Sequence, residues 1–153
     1  MRRGPWHDRP RRLAALVFGV AGLVVPAAWY GPLVVASGRP SLWVLYLGIP
    51  TFSAAMAGAA GARTLGPGCC RSAGRAALRG AGLALAAFVL FSFLFGAALT
   101  WFEPGWGWRS ILGLATLTLS VGLLVSCWLI VPLGAAAGWV VWRVLGRGAP
   151  APP

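Results

Sequence analysis

The run Ile111–Trp142, ILGLATLTLSVGLLVSCWLIVPLGAAAGWVVW, contains no Asp, Glu, Lys, Arg or His in thirty-two residues. A helix crosses a bilayer with about 20 predominantly apolar residues, so this stretch reaches across with roughly half as much again to spare. A chain that contains it folds with lipid as part of its solvent, and three further runs read the same way. They are Leu13–Ala36, Leu42–Ala62 with an interruption at Gly48-Ile49-Pro50, and Gly80–Trp101. Only 10% of the residues are charged and mean hydropathy is +0.80, against about 25% charged in soluble domains. The expectation is one all-α integral membrane domain, a four-transmembrane-helix bundle over residues 13–147 with spans at 13–36, 42–62, 80–101 and 111–142. A basic tail, 1–12, precedes it and a Pro/Ala tail, 148–153, follows.

All thirteen cationic side chains are Arg, and Lys, Asn and Gln are missing altogether. That bias points to GC-rich coding, hence to a high-GC bacterium and its plasma (inner) membrane. Four spans put both termini and the middle loop on one side. Eleven arginines fall there, leaving Arg39 and Arg109 on the other. The positive-inside rule then places both termini in the cytoplasm. Trp101, Trp106, Trp108, Trp43 and Tyr30 flank the two outer turns, while Trp139 and Trp142 precede the last arginines, as interfacial aromatic belts do. A cleaved signal peptide is the rival reading of the first run, but Trp29-Tyr30 and the apolar chain after them favour a continuing span. The net charge of +11 lies in short segments, which assigns it to topology and anionic lipid rather than nucleic acid. Arg71, Arg75 and Arg79, four apart, share one helix face and form a stripe for lipid headgroups.

Side chains for catalysis are sparse. No ionisable residue falls inside a span, where proton relays and substrate sites place them. His7 beside Asp8 has neither triad nor metal spacing. Cys69, Cys70 and Cys127 form no disulfide framework or ligand set, and adjacent cysteines bridge only with strain, so all three read as free thiols. The outer cysteine pairs of disulfide-forming quinone oxidoreductases and the membrane-embedded Glu of small multidrug transporters have no counterpart. Glu103 and Arg109 could pair only across a wet turn. The expectation is therefore no enzyme, no cofactor and no metal.

What the chain does display is small residues at helical spacing. Ser92, Gly96 and Thr100 lie on one face of the third span and Thr118, Gly122 and Ser126 on one face of the fourth. Joined by a short turn, these faces are expected to meet, with hydroxyls bonding across. The second half of the second span, SAAMAGAAGA, offers a similar close-approach surface. Gly134 and Gly138 form a GxxxG beyond Pro132, expected to serve association with a membrane-protein partner or a second copy. Because thirty-two residues exceed the bilayer thickness, Gly134–Trp142 is expected to leave the bundle past a Pro132 kink and present the docking segment. The function these features imply is an accessory, assembly or scaffolding subunit. The alternative is an oligomeric transporter or channel protomer lined by Thr51, Thr116 and Ser120.

Overall fold

The computed structural model describes residues 10–66, 69–70, 72–102 and 108–146. Among these, every element is helical. Helix α1 spans Pro10–Ser37, α2 Pro40–Leu65, α3 Ala73–Phe102 and α4 Trp108–Gly146. Each is long and apolar enough to cross a membrane, α4 through its Cys127–Gly146 portion. Large apolar side chains stand exposed on all four, among them Leu16, Phe52, Phe93 and Leu124. A water-soluble surface carries no such continuous apolar coat.

The helix ends follow local chemistry and adjust the expected boundaries. Helix α1 starts at Pro10, a residue suited to the first helical position, and so takes in Arg11 and Arg12, two residues assigned above to the tail. It runs on through Pro26 and Pro32 and stops at Gly38, whose φ of +61° is the left-handed value that glycine adopts without strain. Ser37 closes this turn: its Oγ donates to Val34 O at 2.8 Å and accepts from Arg39 N. Helix α2 begins at Pro40 with Arg39 as an uncapped N-cap. The expected interruption at Gly48-Ile49-Pro50 is a π-helical segment, Val44–Gly48, inside a continuous helix. Pro50 has no N–H and its ring would press on the carbonyl four residues back. Widening the turn so that Ile49 N–H bonds Val44 O moves that carbonyl aside. Ser72 opens α3, its Oγ accepting from Arg75 N and its carbonyl from Ala76 N. Arg75 and Arg79 thus lie in the first two turns of α3, as their spacing implied, while Arg71, residues 1–9, the Glu103 turn and 147–153 lie outside the described residues.

Contacts run around the bundle from α1 to α2, α3, α4 and back to α1, and consecutive helices are antiparallel. The SAAMAGAAGA face seats α1. Gly58 lies so close that a Cβ there would be 2.7 Å from Ala14 O and 2.8 Å from Phe18 Cβ, and one on Gly22 would be 2.5 Å from Ala54 Cβ. Close backbone approach of this kind supplies packing where lipid leaves no hydrophobic drive. The core of buried side chains, Leu13, Ala14, Phe18, Ala62, Leu65, Ala137, Val141 and Leu145, gathers at the end of the bundle where α1 begins and α4 ends. We call this the termini end.

Candidate functional site

Two features stand out: a locked termini end and a cavity toward the other. At the termini end the lock is built on glycine. A Cβ on Gly80 of α3 would lie 2.7 Å from Gly138 Cα and overlap Gly134 O; one on Gly138 would lie 2.5 Å from Ala76 O. The small-residue row Ala76, Gly80, Ala84 on α3 therefore meets Gly134 and Gly138 on α4 backbone to backbone. This corrects the expectation of an association face. The GxxxG pairs within the chain, because α3 brings its own small-residue row to it. Of the segment Gly134–Trp142, expected to leave the bundle, Gly134, Ala137, Gly138 and Val141 are buried in it, and Ala136 and Trp139 remain exposed.

The other two proposed faces also lie on the contact between α3 and α4, each glycine meeting residues outside the opposite row. Gly96 faces Ile111 and Ala115, with a Cβ 3.0 Å from Ile111 O, and Gly122 faces the ring of Phe88. Four of the described hydroxyls bond within their own helices. Ser92 is fully buried yet donates to Phe88 O of its own helix at 2.9 Å, and Thr51, Ser53 and Thr116 donate to the carbonyls four residues back. Thr118 faces the cavity described below. The side chains of Thr100 and Ser126 lie outside the described residues. Thr51 sits beside Gly19 of α1, whereas Thr116 and Ser120 are exposed on α4, so the three hydroxyls of the channel reading share no surface within the chain.

The loop between α2 and α3 is tied down by Cys70, which is 1% exposed. Its Sγ donates to Thr64 O at 3.2 Å, and Trp142 of α4 donates Nε1–H to its carbonyl at 3.0 Å. Arg79 Nη1 donates to Thr64 O at 2.6 Å and to Cys70 Sγ at 3.5 Å. A cation here satisfies a last-turn carbonyl of α2 and opposes the negative end of its dipole. Arg79 thus caps a helix while itself exposed, a role its charge alone did not reveal; Arg75 is exposed as well. Trp142 turns inward, and Trp139 is left outside with Arg143 stacked 4.9 Å from its ring. Cys69 and Cys127 are exposed, and all three cysteines are free.

Toward the opposite end the two hairpins part around a cavity of about 560 Å³. Its walls are aromatic. Tyr30 of α1 stacks on Tyr46 of α2 at 4.8 Å, Tyr46 on Phe95 of α3 at 5.8 Å, and Phe95 continues through Phe91 to Phe88 at 5.4 and 5.8 Å. Phe88, Phe91 and Phe95 share one helix face by their spacing; Phe93, on the opposite side, is 47% exposed. Leu117, Thr118 and Val121 of α4 complete the ring, and Phe18, Leu133 and Gly134 form the floor. Tyr30, Leu117 and Val121 are exposed as well as lining, so the cavity opens sideways between α1 and α4. A sealed dry void of this size would cost roughly 13 kcal/mol at about 24 cal/mol per Å³, as much as a whole domain's stability. The lateral opening lets surrounding solvent fill it.

Bundle, coat and cavity together define a class, a four-helix apolar bundle of membrane-spanning dimensions with an internal apolar site. No family model, curated protein or solved structure matches the chain, so the site must be interpreted from its own chemistry.

Proposed function

We propose that this chain is an integral protein of a bacterial inner membrane, with four spans and both termini cytoplasmic, and that it acts as a non-catalytic accessory or assembly subunit. The arginine asymmetry supports the orientation, and the Gly-lined helix contacts support a bundle assembled before any partner arrives. The observation that carries the accessory role is Trp128. It is 64% exposed at the middle of α4, twenty residues from Trp108, with Leu124 at 82% and Val131 beside it at helical spacing. Tryptophan favours membrane interfaces and is enriched among the residues that dominate protein contacts. About twenty residues make one full span, so Trp128 stands at the opposite boundary from Trp108, and with exposed Leu124 and Val131 it offers an aromatic-anchored apolar face suited to a partner helix.

The test is extraction of the native protein in mild detergent. A complex larger than the chain should form, survive Phe52→Ala on the exposed face of α2, and be lost with Trp128→Ala. A monomer in mild detergent, or a complex indifferent to Trp128→Ala, refutes the accessory reading, and solute flux through purified protein in liposomes would favour the channel reading. Reporter fusions after Leu78 test the orientation separately: an extracytoplasmic signal there overturns it.

A further inference from the structure

We propose that the cavity between the hairpins is a binding site for one hydrocarbon chain of a membrane phospholipid, which enters sideways between α1 and α4. This rests on the membrane placement proposed above and is independent of any partner.

Three dimensions point to that occupant. Along α1 the lining runs from Phe18 to Tyr30, twelve residues or about 18 Å, close to one leaflet of a hydrocarbon core about 30 Å thick. Dividing 560 Å³ by that length gives a bore about 6 Å across, too narrow for a partner helix, whose diameter is about 10–12 Å. An apolar cavity of about 150 Å³ holds a benzene molecule, so this one holds about twenty carbons, one long acyl chain.

Polarity then orients the chain. Of the lining side chains only Tyr30, Tyr46 and Thr118 bear hydroxyls, and all three lie toward the end away from the termini, while the floor at Phe18, Leu133 and Gly134 is apolar. Amphipathic tyrosines suit the boundary between headgroups and tails. Arg39, the exposed cation of the turn joining α1 to α2, follows the end of α1 at Ser37, seven residues or about 10 Å beyond Tyr30. That is headgroup level, where its charge complements a phosphate. Water suits the cavity poorly, because a buried water needs two to four polar partners and the floor provides none.

The experiment reconstitutes the full chain in phosphatidylcholine/phosphatidylglycerol vesicles containing a phospholipid with a diazirine near the tip of one acyl chain. Flotation checks insertion, irradiation fixes the contacts, and peptide mass spectrometry maps them. Adducts at Val25, Phe88 and Phe91 should exceed those at exposed Leu124 and Phe52 about fivefold. The double variant Ala87→Phe/Thr118→Phe fills the bore and should cut the lining adducts at least tenfold, leaving those at Leu124 unchanged. Adducts confined to outward-facing residues of the wild type overturn the proposal without any variant, as do undiminished lining adducts in a folded filled variant. Failure to float overturns the membrane placement and this site with it.

Discussion

Replacing Gly80 by alanine adds one methyl group where α3 and α4 touch. That carbon would lie 2.7 Å from Gly138 Cα, 2.9 Å from Gly138 N and closer still to Gly134 O. Carbon contacts settle at about 3.5–4.0 Å, so the helices must move apart by about 1 Å. Neither neighbour is a side chain that can rotate away. Overpacking typically costs about 1–3 kcal/mol, and two backbones in opposition set the upper end. Alanine returns about 0.8–1.0 kcal/mol of helix propensity, leaving a net loss of about 2 kcal/mol. Gly82, two residues on and pointing away, has nothing within 4 Å of its Cβ position, so Gly82→Ala should gain the propensity term alone. The two variants should differ by about 3 kcal/mol, roughly two orders of magnitude in the unfolding equilibrium. Titrating SDS into the detergent-solubilised protein and following tryptophan fluorescence measures the gap. Equal midpoints, or a Gly80→Ala protein as stable as Gly82→Ala, would refute backbone-to-backbone packing here.

The termini end gives further expectations. Trp142→Phe removes the hydrogen bond to Cys70 O and should cost about 1 kcal/mol, with faster labelling of Cys70 by a small maleimide as the direct readout. Arg79→Gln takes the cation from Thr64 O and should lower the SDS midpoint by the equivalent of about 1 kcal/mol, whereas Arg75→Gln, likewise exposed one turn earlier on the same helix face, should stay within about 0.5 kcal/mol of wild type. In the folded protein a charged maleimide should modify Cys69 and spare buried Cys70. Cys127, exposed at mid-helix, should react with an apolar maleimide only.

Periodicity and composition made the four helices and their order legible, because a run of twenty apolar residues has few alternatives. Register was not legible. Serine, threonine and glycine at spacing four mark close-approach faces, but several such rows exist in a chain with 22 glycines, and bulk decides among them. Gly122 receives the ring of Phe88 and Gly96 lies against Ile111 and Ala115, while Ala76, Gly80 and Ala84 form an unobstructed partner for Gly134 and Gly138. That row stands in the sequence beside Arg75 and Arg79, whose charge points to lipid headgroups instead. The cavity was the least legible feature. Its wall needs Tyr30, Tyr46 and Phe95 from three helices to converge, and the π-helical turn that positions Tyr46 arises from Pro50 four residues later.

The two hairpins meet through a buried core at the termini end and face each other across the cavity at the other. At the termini end Leu13, Ala14 and Phe18 of α1, Ala62 and Leu65 of α2, and Ala137, Val141 and Leu145 of α4 are buried together. Where Tyr30, Tyr46, Phe88, Phe91 and Phe95 stand, the hairpins are propped apart around a laterally open cavity. A structure pinned at one end moves chiefly at the other, since local opening follows low contact density. Collective motions of this kind fall in the microsecond to millisecond range. Spin labels report the distribution directly, in a protein with Cys69 and Cys127 replaced and Cys70 buried. A pair on exposed Leu16 and Trp139, at the termini end of α1 and α4, should give a single narrow distance. A pair on exposed Leu33 and Leu112, on the same two helices at the far end, should give a broader distribution that narrows when the cavity is filled by Ala87→Phe/Thr118→Phe. Equal widths at the two ends would show that the aromatic wall holds α1 and α4 as rigidly as the buried core at the termini end, and the open end would then be a static shape rather than a site of motion.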